Sequence, residues 1–150
     1  MIWLGVDLGD ARVGLALSDP ELSLAHPIGN IQSYGDSFRA LDDVIDVIQR
    51  ERPEAVVIGL PLQLDGTDGK SAKKARRWAA NLEKRLRIVH AGNAGQDGMP
   101  RIVLLDERLT TVSAHRQLQE ALISSRQHRP LIDQQSAVLI LQMALDQHRE

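Results

Sequence analysis

The sequence predicts an α/β protein with a mixed five-stranded sheet and helices on both faces. Five apolar segments have the length of strands, and the later ones alternate with segments whose apolar residues recur every three or four positions, as in helices. The predicted order is β-β-β-α-β-α-β-α-α, a pattern that favours a mixed sheet covered by helices. The chain has 150 residues, 43% of them hydrophobic, which suits a single domain over residues 1–150.

The first three predicted strands are short apolar runs that stop at turn residues. The strand at 2–6 is followed by Asp7, and the strand at 13–18 stops at an Asp-Pro pair. Such breaks between apolar runs are typical of strand ends. The third strand, at 26–32, contains Pro27 and Gly29, which weaken its strand pattern.

Helices and strands then alternate along the rest of the chain. Asp36 is a typical N-cap for a helix that runs to about residue 50 and stops before Pro53. The following predicted elements are a strand at 55–60, a helix at 68–86, a strand at 101–105 and helices at 111–122 and 131–147.

The composition excludes several classes of protein. The chain has no cysteine, which excludes a disulfide framework, a cysteine nucleophile and a thiolate zinc site. It contains no apolar run long enough to span a membrane. The first ten residues lack the basic segment of a signal peptide. We therefore expect a cytoplasmic protein without a membrane partner.

The charge is concentrated in one predicted helix. The net charge is −2, yet residues 70–87 hold eight basic residues against one acid, Glu83. Lys70, Lys73, Lys74 and Arg77 recur at spacings of three and four and can share a helix face. Such a face favours a polyanionic partner, namely nucleic acid. The alternative is a solvated face of a helix whose other side is packed.

Four acidic residues lie where ligands usually bind in α/β sheets. Asp7 follows the first predicted strand, Asp106 and Glu107 follow the last, and Asp133 opens the final helix. Converging carboxylates repel each other unless a cation neutralises them, and Mg²⁺ or Mn²⁺ prefers such oxygen ligands. Each acid also has an ordinary interpretation as a turn residue or helix cap. Adjacent strand residues face opposite ways, and the residues alone leave the choice between Asp106 and Glu107 open.

Other polar residues near these acids are candidate phosphate contacts. Thr67 lies in a Gly-rich loop before the basic helix, where free backbone N–H groups can bind anions. Arg108 can hold either a carboxylate or a phosphate with its planar guanidinium. Arg126 and Arg129 lie in a polar segment before Asp133. The alternatives are an ordinary strand-to-helix loop and soluble loop residues.

Four blocks together resemble one known family. In chain order they read GVDLGDARVGLALSD (5–19), VVIGLPLQLDGTDGKSA (56–72), LLDERLTT (104–111) and LIDQQSAVLILQ (131–142). They are similar to the YqgF/RuvX family, a branch of the RNase H-like superfamily related to RuvC-type Holliday junction resolvases. The resemblance covers nearly the whole chain, and the second and third blocks are its most specific parts.

The resemblance implies an RNase H-like fold and a nuclease that depends on Mg²⁺ or Mn²⁺. The family is assigned the maturation of the 5′ end of 16S ribosomal RNA precursor, and some members are described as junction resolvases. Asp7 matches the acid of the first strand, and Asp133 matches the acid that opens the last helix. The acid of the third block falls on Asp106 or Glu107, of which we favour Glu107. The expected substrate is structured RNA or branched DNA, and resolving a symmetric junction would require a homodimer.

The chain departs in two places from the patterns of these enzymes. RuvC-type enzymes carry an acid one turn further along the last helix, where this chain has Ser136. The loop at 91–100 is longer than in compact members.

Two rival functions are compatible with the same sequence. The first rival is a non-catalytic nucleic-acid-binding module. The second is an actin-like ATPase, whose first phosphate motif is similar to residues 6–16, although no second phosphate motif follows.

Overall fold

The computed structural model describes residues 1–9, 11–91, 99–108 and 129–148, with the backbone alone at 91 and 129–135. Five strands, a short 3₁₀ helix and three α-helices occupy this part of the chain. In chain order they are β1 (Trp3–Leu8), β2 (Arg12–Ser18), β3 (Ala25–Gln32), the 3₁₀ helix (Ser37–Ala40), α1 (Leu41–Glu51), β4 (Ala55–Leu60), α2 (Lys70–Ala91), β5 (Arg101–Asp106) and α3 (Arg129–His148).

The five strands form one mixed sheet in the order β3-β2-β1-β4-β5. The first three strands are antiparallel neighbours, while β1, β4 and β5 run parallel to one another. The predicted mixed sheet is therefore confirmed. Because β1, β4 and β5 run the same way, their carboxyl ends meet at one edge of the sheet, where α/β proteins usually bind ligands.

Helices cover both faces of the sheet, as predicted. Leu4 and Val6 of β1 are fully buried in the cluster that includes the apolar residues of α1 and α2. Trp3 points to the other face and packs in the cluster formed by α3. Within α2, Trp78 is fully buried and its indole Nε1 donates to the Ser37 carbonyl at 2.8 Å.

The structure differs from the sequence-based prediction at three helix ends. Asp36 accepts a hydrogen bond from Phe38 N, but it caps the 3₁₀ helix that precedes α1. Helix α2 continues to Ala91 instead of ending near 86, because Val89 still packs against the core. Helix α3 begins at Arg129. Asp133 therefore does not open this helix.

Pro130 explains the early start of α3. Proline is tolerated in the first turn of a helix, where its missing N–H would have no intrahelical acceptor. The predicted helix at 111–122 lies outside the described residues. Among the helices that the structure describes, none combines the length and apolarity needed to cross a membrane.

Candidate active site

Asp7 of β1, Gly59 of β4 and Glu107, which directly follows β5, form a row across the sheet. Trp3 of β1, Val57 of β4 and Leu105 of β5 all belong to the core cluster on the α3 face. Strand residues alternate between the two faces of a sheet. Each of the three row residues follows one of these core residues by an even number of positions, so the whole row lies on that same face. The register of β4 and β5 pairs Gly59 with Leu105, and the Glu107 N–H donates to the Leu60 carbonyl at 3.2 Å.

These three residues line a small cavity at the carboxyl edge of the sheet, which we call the acidic cavity. Its volume is about 30 Å³. Asp7 and Glu107 are only 3% and 2% exposed. Lys74 of α2 reaches the same cavity, whose remaining lining residues are Leu8, Pro61, Ser71 and Ala75. Two buried carboxylates are costly unless a positive charge compensates them, and Lys74 supplies one such charge.

Gly59 makes room for the Glu107 carboxylate. A Cβ atom at position 59 would collide with Glu107 Oε1 and would lie 2.7 Å from Ile140 Cδ1. A glycine inside a strand often marks a close approach of this kind. Gly59 is not among the site residues predicted from the sequence, although it is the single glycine in the otherwise apolar run AVVIGL.

Asp106 points away from the acidic cavity. Its carboxylate accepts hydrogen bonds from the Arg108 backbone N at 2.9 Å and from Arg108 Nη2 at 3.0 Å. The side-chain hydrogen bonds from Arg108 lower the pKa of Asp106 below its ordinary value. Asp106 thus orients Arg108, while Glu107 lies beside Asp7.

Asp133 belongs to the second turn of α3 in this structure. It precedes Ala137 by four residues and Ile140 by seven, so the three share one row of the helix. Ala137 and Ile140 pack on the sheet, where they approach Gly5 and Gly59. Ser136, at the position where RuvC-type enzymes carry an additional acid, is 2% exposed. The side chain of Asp133 itself is not among the described parts of the chain.

The basic face of α2 lies opposite its packed face. Lys70, Lys73 and Arg77 are exposed, whereas Ala72 and Ala75 are buried. Lys74 is half-buried at the boundary, which brings it to the acidic cavity. We call Lys70, Lys73 and Arg77 the basic face. One side of α2 is thus core and the other is exposed, an arrangement that both interpretations of this segment predict, and contact of the basic face with nucleic acid stays a prediction.

The loop between β4 and α2 is held by its own side chains. The Thr67 hydroxyl lies 2.6 Å from Asp65 Oδ1 and 2.9 Å from Gln63 Oε1. This hydroxyl and the Thr67 N–H lower the pKa of Asp65. Arg108 approaches Gly66, whose φ of +89° suits glycine. The loop is thus fixed beside Arg108. Arg126 lies outside the described residues, and the side chain of Arg129 is not described.

The acidic cavity suits a hard divalent cation. Its charged oxygen donors, Asp7 and Glu107, are of the kind that Mg²⁺ and Mn²⁺ prefer, and none of the described residues that line it is a histidine or carries sulfur. Among the described side chains, no three acidic or histidine residues come together as a metal site. Two carboxylates together with waters can hold such a cation, and Asp133 is the predicted third ligand.

Replacing Gly59 tests the position of Glu107. In Gly59→Ala the new methyl group collides with the Glu107 carboxylate, so we expect cleavage activity to fall at least tenfold. Overpacking should also lower the free energy of unfolding by about 1–3 kcal/mol. Gly5→Ala is the matched control, because its Cβ would lie 2.7 Å from Leu141 Cβ without touching an acid. Equal activities in the two variants at matched stability would contradict this arrangement.

Comparison with known proteins identifies the family of this chain. The family model described as "RuvX: Holliday junction resolvase" matches residues 1–147. A protein of Bifidobacterium adolescentis, named "Putative pre-16S rRNA nuclease", is 69% identical, with both chains fully covered. A protein of Mycobacterium leprae with the same name is 39% identical over 97% of this chain and 73% of its own.

Solved structures support the fold. The structure described as "T. thermophilus RuvC in complex with Holliday junction substrate" aligns with a TM-score of 0.55 at 18% identity, covering 99% of this chain and 96% of RuvC. A second Thermus thermophilus RuvC structure gives the same TM-score at 16% identity. The chain therefore has the RNase H-like fold of RuvC. Taken with the match over nearly its whole length, this shows that the chain belongs to the RuvX family.

Proposed function

We propose that this protein is a nuclease that hydrolyses phosphodiester bonds of structured nucleic acid with a divalent metal ion in the acidic cavity. The observation that carries the proposal is a pair of buried carboxylates that share one cavity with Lys74, namely Asp7 in β1 and Glu107 directly after β5. Burial of two acids at a sheet edge is costly for stability. Such an arrangement is typical of a functional site rather than of a structural core.

The charged residues around the cavity would have separate roles in binding the metal and the phosphate. Asp7 and Glu107 would hold Mg²⁺ or Mn²⁺, which, when bound, supplies Lewis-acid stabilisation of the charge that develops on the phosphate. The Lys74 ammonium lies at the same cavity and would attract a phosphate oxygen. Asp7 and Glu107 are almost fully buried, so their charges act through a lower dielectric than that of bulk water.

We propose Asp133 as the third ligand. It falls on the row of α3 that packs on the sheet, one turn before Ala137, and α3 lies on the same sheet face as Asp7 and Glu107. The other end of α3 is fixed by His148, whose ring lies 4.9 Å from that of Trp3 at the start of β1. The beginning of α3 is therefore directed towards the carboxyl end of β1, where Asp7 lies.

The names of the relatives favour precursor 16S ribosomal RNA as the substrate. The proteins at 64–69% identity from Bifidobacterium all carry the name of a nuclease for this RNA. The basic face of α2 starts beside the cavity and would follow the phosphate backbone away from the scissile bond. Aromatic residues make up only 3% of the chain, so recognition by base stacking contributes little.

The second candidate function is resolution of four-way DNA junctions, favoured by the description of the matching family. Symmetric cleavage of such a junction would require two active sites and hence a two-fold homodimer. Side-by-side cleavage of a precursor-RNA fragment and a four-way DNA junction, in Mg²⁺ and in Mn²⁺, distinguishes the two. Tight binding of both substrates without cleavage of either would favour the non-catalytic module.

Charge reversal tests the basic face. We expect Lys70→Glu, Lys73→Glu and Arg77→Glu together to weaken nucleic-acid binding. Each lost phosphate contact should lower the slope of log K against log salt concentration by roughly 0.7–0.9. Lys74 is left intact in this variant because it lines the acidic cavity, so Mn²⁺ binding should be unchanged.

The control for this variant carries the same change in net charge elsewhere. Arg39, Arg50 and Arg52 are exposed and lie outside α2, so their reversal should reduce the salt slope much less. Fluorescence anisotropy with a labelled RNA at several salt concentrations measures both variants. Equal salt slopes in the two variants would show that the basic face is solvated and does not contact nucleic acid.

A further inference from the structure

Arg12 starts β2 next to Asp7, on the same face of the sheet. Asp7 lies directly opposite Gly14 in the antiparallel pairing of β1 and β2. Val13 and Leu15 face the cluster of α1 and α2, so Arg12 faces the α3 side by alternation. A residue two positions from the direct partner is a diagonal neighbour about 7–8 Å away. Arg12 is therefore within side-chain reach of the acidic cavity.

The guanidinium of Arg12 has an unused donor. Its Nε is buried and has no hydrogen-bond partner within the described part of the chain. A buried donor without an acceptor is unfavourable for folding, because it has lost its hydrogen bond to water. Such a cost is expected where a ligand supplies the missing acceptor, and oxygen anions are the natural partners of a guanidinium.

The backbone holds Arg12 in place. Arg12 pairs with Gln32 of β3, and the Ala11 carbonyl accepts a hydrogen bond from Ser33 N at 3.0 Å. The residue thus stands on a paired strand end rather than on a free loop. A side chain on a fixed backbone can position a ligand more accurately than one on a mobile loop.

We propose that Arg12 binds a phosphate of the substrate strand beside the scissile bond, on the β2 side of the acidic cavity. This inference rests on the proposed function, since it takes nucleic acid as the substrate. Lys74 reaches the cavity from α2, and Arg12 flanks Asp7 from β2. Cations on both sides of the acids hold the backbone across the site, and the planar fork of arginine fixes the orientation of a phosphate.

The test compares Arg12→Gln with Arg50→Gln, an exposed arginine at the end of α1. Binding of a labelled precursor-RNA fragment is measured by anisotropy in EDTA at several salt concentrations. We expect the dissociation constant of Arg12→Gln to rise about tenfold and its log–log salt slope to fall by roughly 0.7–0.9. Arg50→Gln should match the wild type, and calorimetry should give unchanged Mn²⁺ binding for both.

Arg12→Lys keeps the charge without the fork and serves if the glutamine variant does not fold. It should keep the wild-type salt slope and lose about tenfold in kcat/KM, because the phosphate is held less well oriented. Wild-type binding and salt slope in Arg12→Gln, or wild-type kcat/KM in Arg12→Lys, would overturn the assignment. If the wild type binds RNA with an Arg12-dependent slope but cleaves nothing, the proposed function fails while the phosphate site stands.

Discussion

Asp7→Asn should abolish cleavage while leaving the fold and nucleic-acid binding largely intact. Asparagine keeps the shape of the side chain but lacks the charge that holds a hard cation. Loss of the metal's contribution should lower kcat at least about a thousandfold, which corresponds to about 4 kcal/mol of transition-state stabilisation. The assay is cleavage of labelled precursor RNA and junction DNA over a titration of Mn²⁺.

Two further measurements separate loss of metal from loss of fold. In EDTA the melting temperature of Asp7→Asn should not fall, because removal of one charge reduces repulsion with Glu107. Asp43→Asn, which changes an exposed acid on α1, should retain wild-type activity. Full activity of Asp7→Asn at saturating Mn²⁺ would end the metal-nuclease proposal, whatever the behaviour of the other acids.

The sequence predicted the sheet well because its strands are buried. The strand at 55–60 was placed at its observed bounds, since a continuous apolar run between Pro53 and Pro61 admits few alternatives. Even the interrupted strand at 26–32 is real, extending from Ala25. Helix ends were less predictable, because Pro130 is compatible with either a loop or a first helical turn.

The site could be predicted only in part, because it depends on contacts between strands. Sequence position indicated that Asp7 and the Asp106–Glu107 pair would lie at one sheet edge. Which of the pair faces Asp7 depends on the register of β5 with β4, which the sequence does not specify. The role of Gly59 depends on that same register, since the glycine is explained by the carboxylate above it. The roles of Glu107 and Gly59 in the site are predictions that the substitutions described above and below test.

Glu107→Gln should cost far more activity than Asp106→Asn. Glu107 is 2% exposed and lines the cavity with Asp7, so the change removes a metal ligand in our proposal. We expect at least about a hundredfold loss of kcat, or about 2.7 kcal/mol. In Asp106→Asn the metal site is intact and only the pairing with Arg108 weakens. This pair is about a third exposed, so the stability loss should be about 1 kcal/mol or less.

The pH dependence of stability offers an independent assay of the two acids. Arg108 lowers the pKa of Asp106 in the folded state, so the pair stabilises the protein above the unfolded-state pKa, about 3.9. That contribution is lost as the pH falls through the lower folded-state pKa. Asp106→Asn should remove this part of the acid dependence and leave Mn²⁺ affinity unchanged, whereas Glu107→Gln should weaken Mn²⁺ binding about tenfold or more. A structure with Mn²⁺ between Asp7 and Asp106, and Glu107 turned away, would show that Asp106 is the ligand.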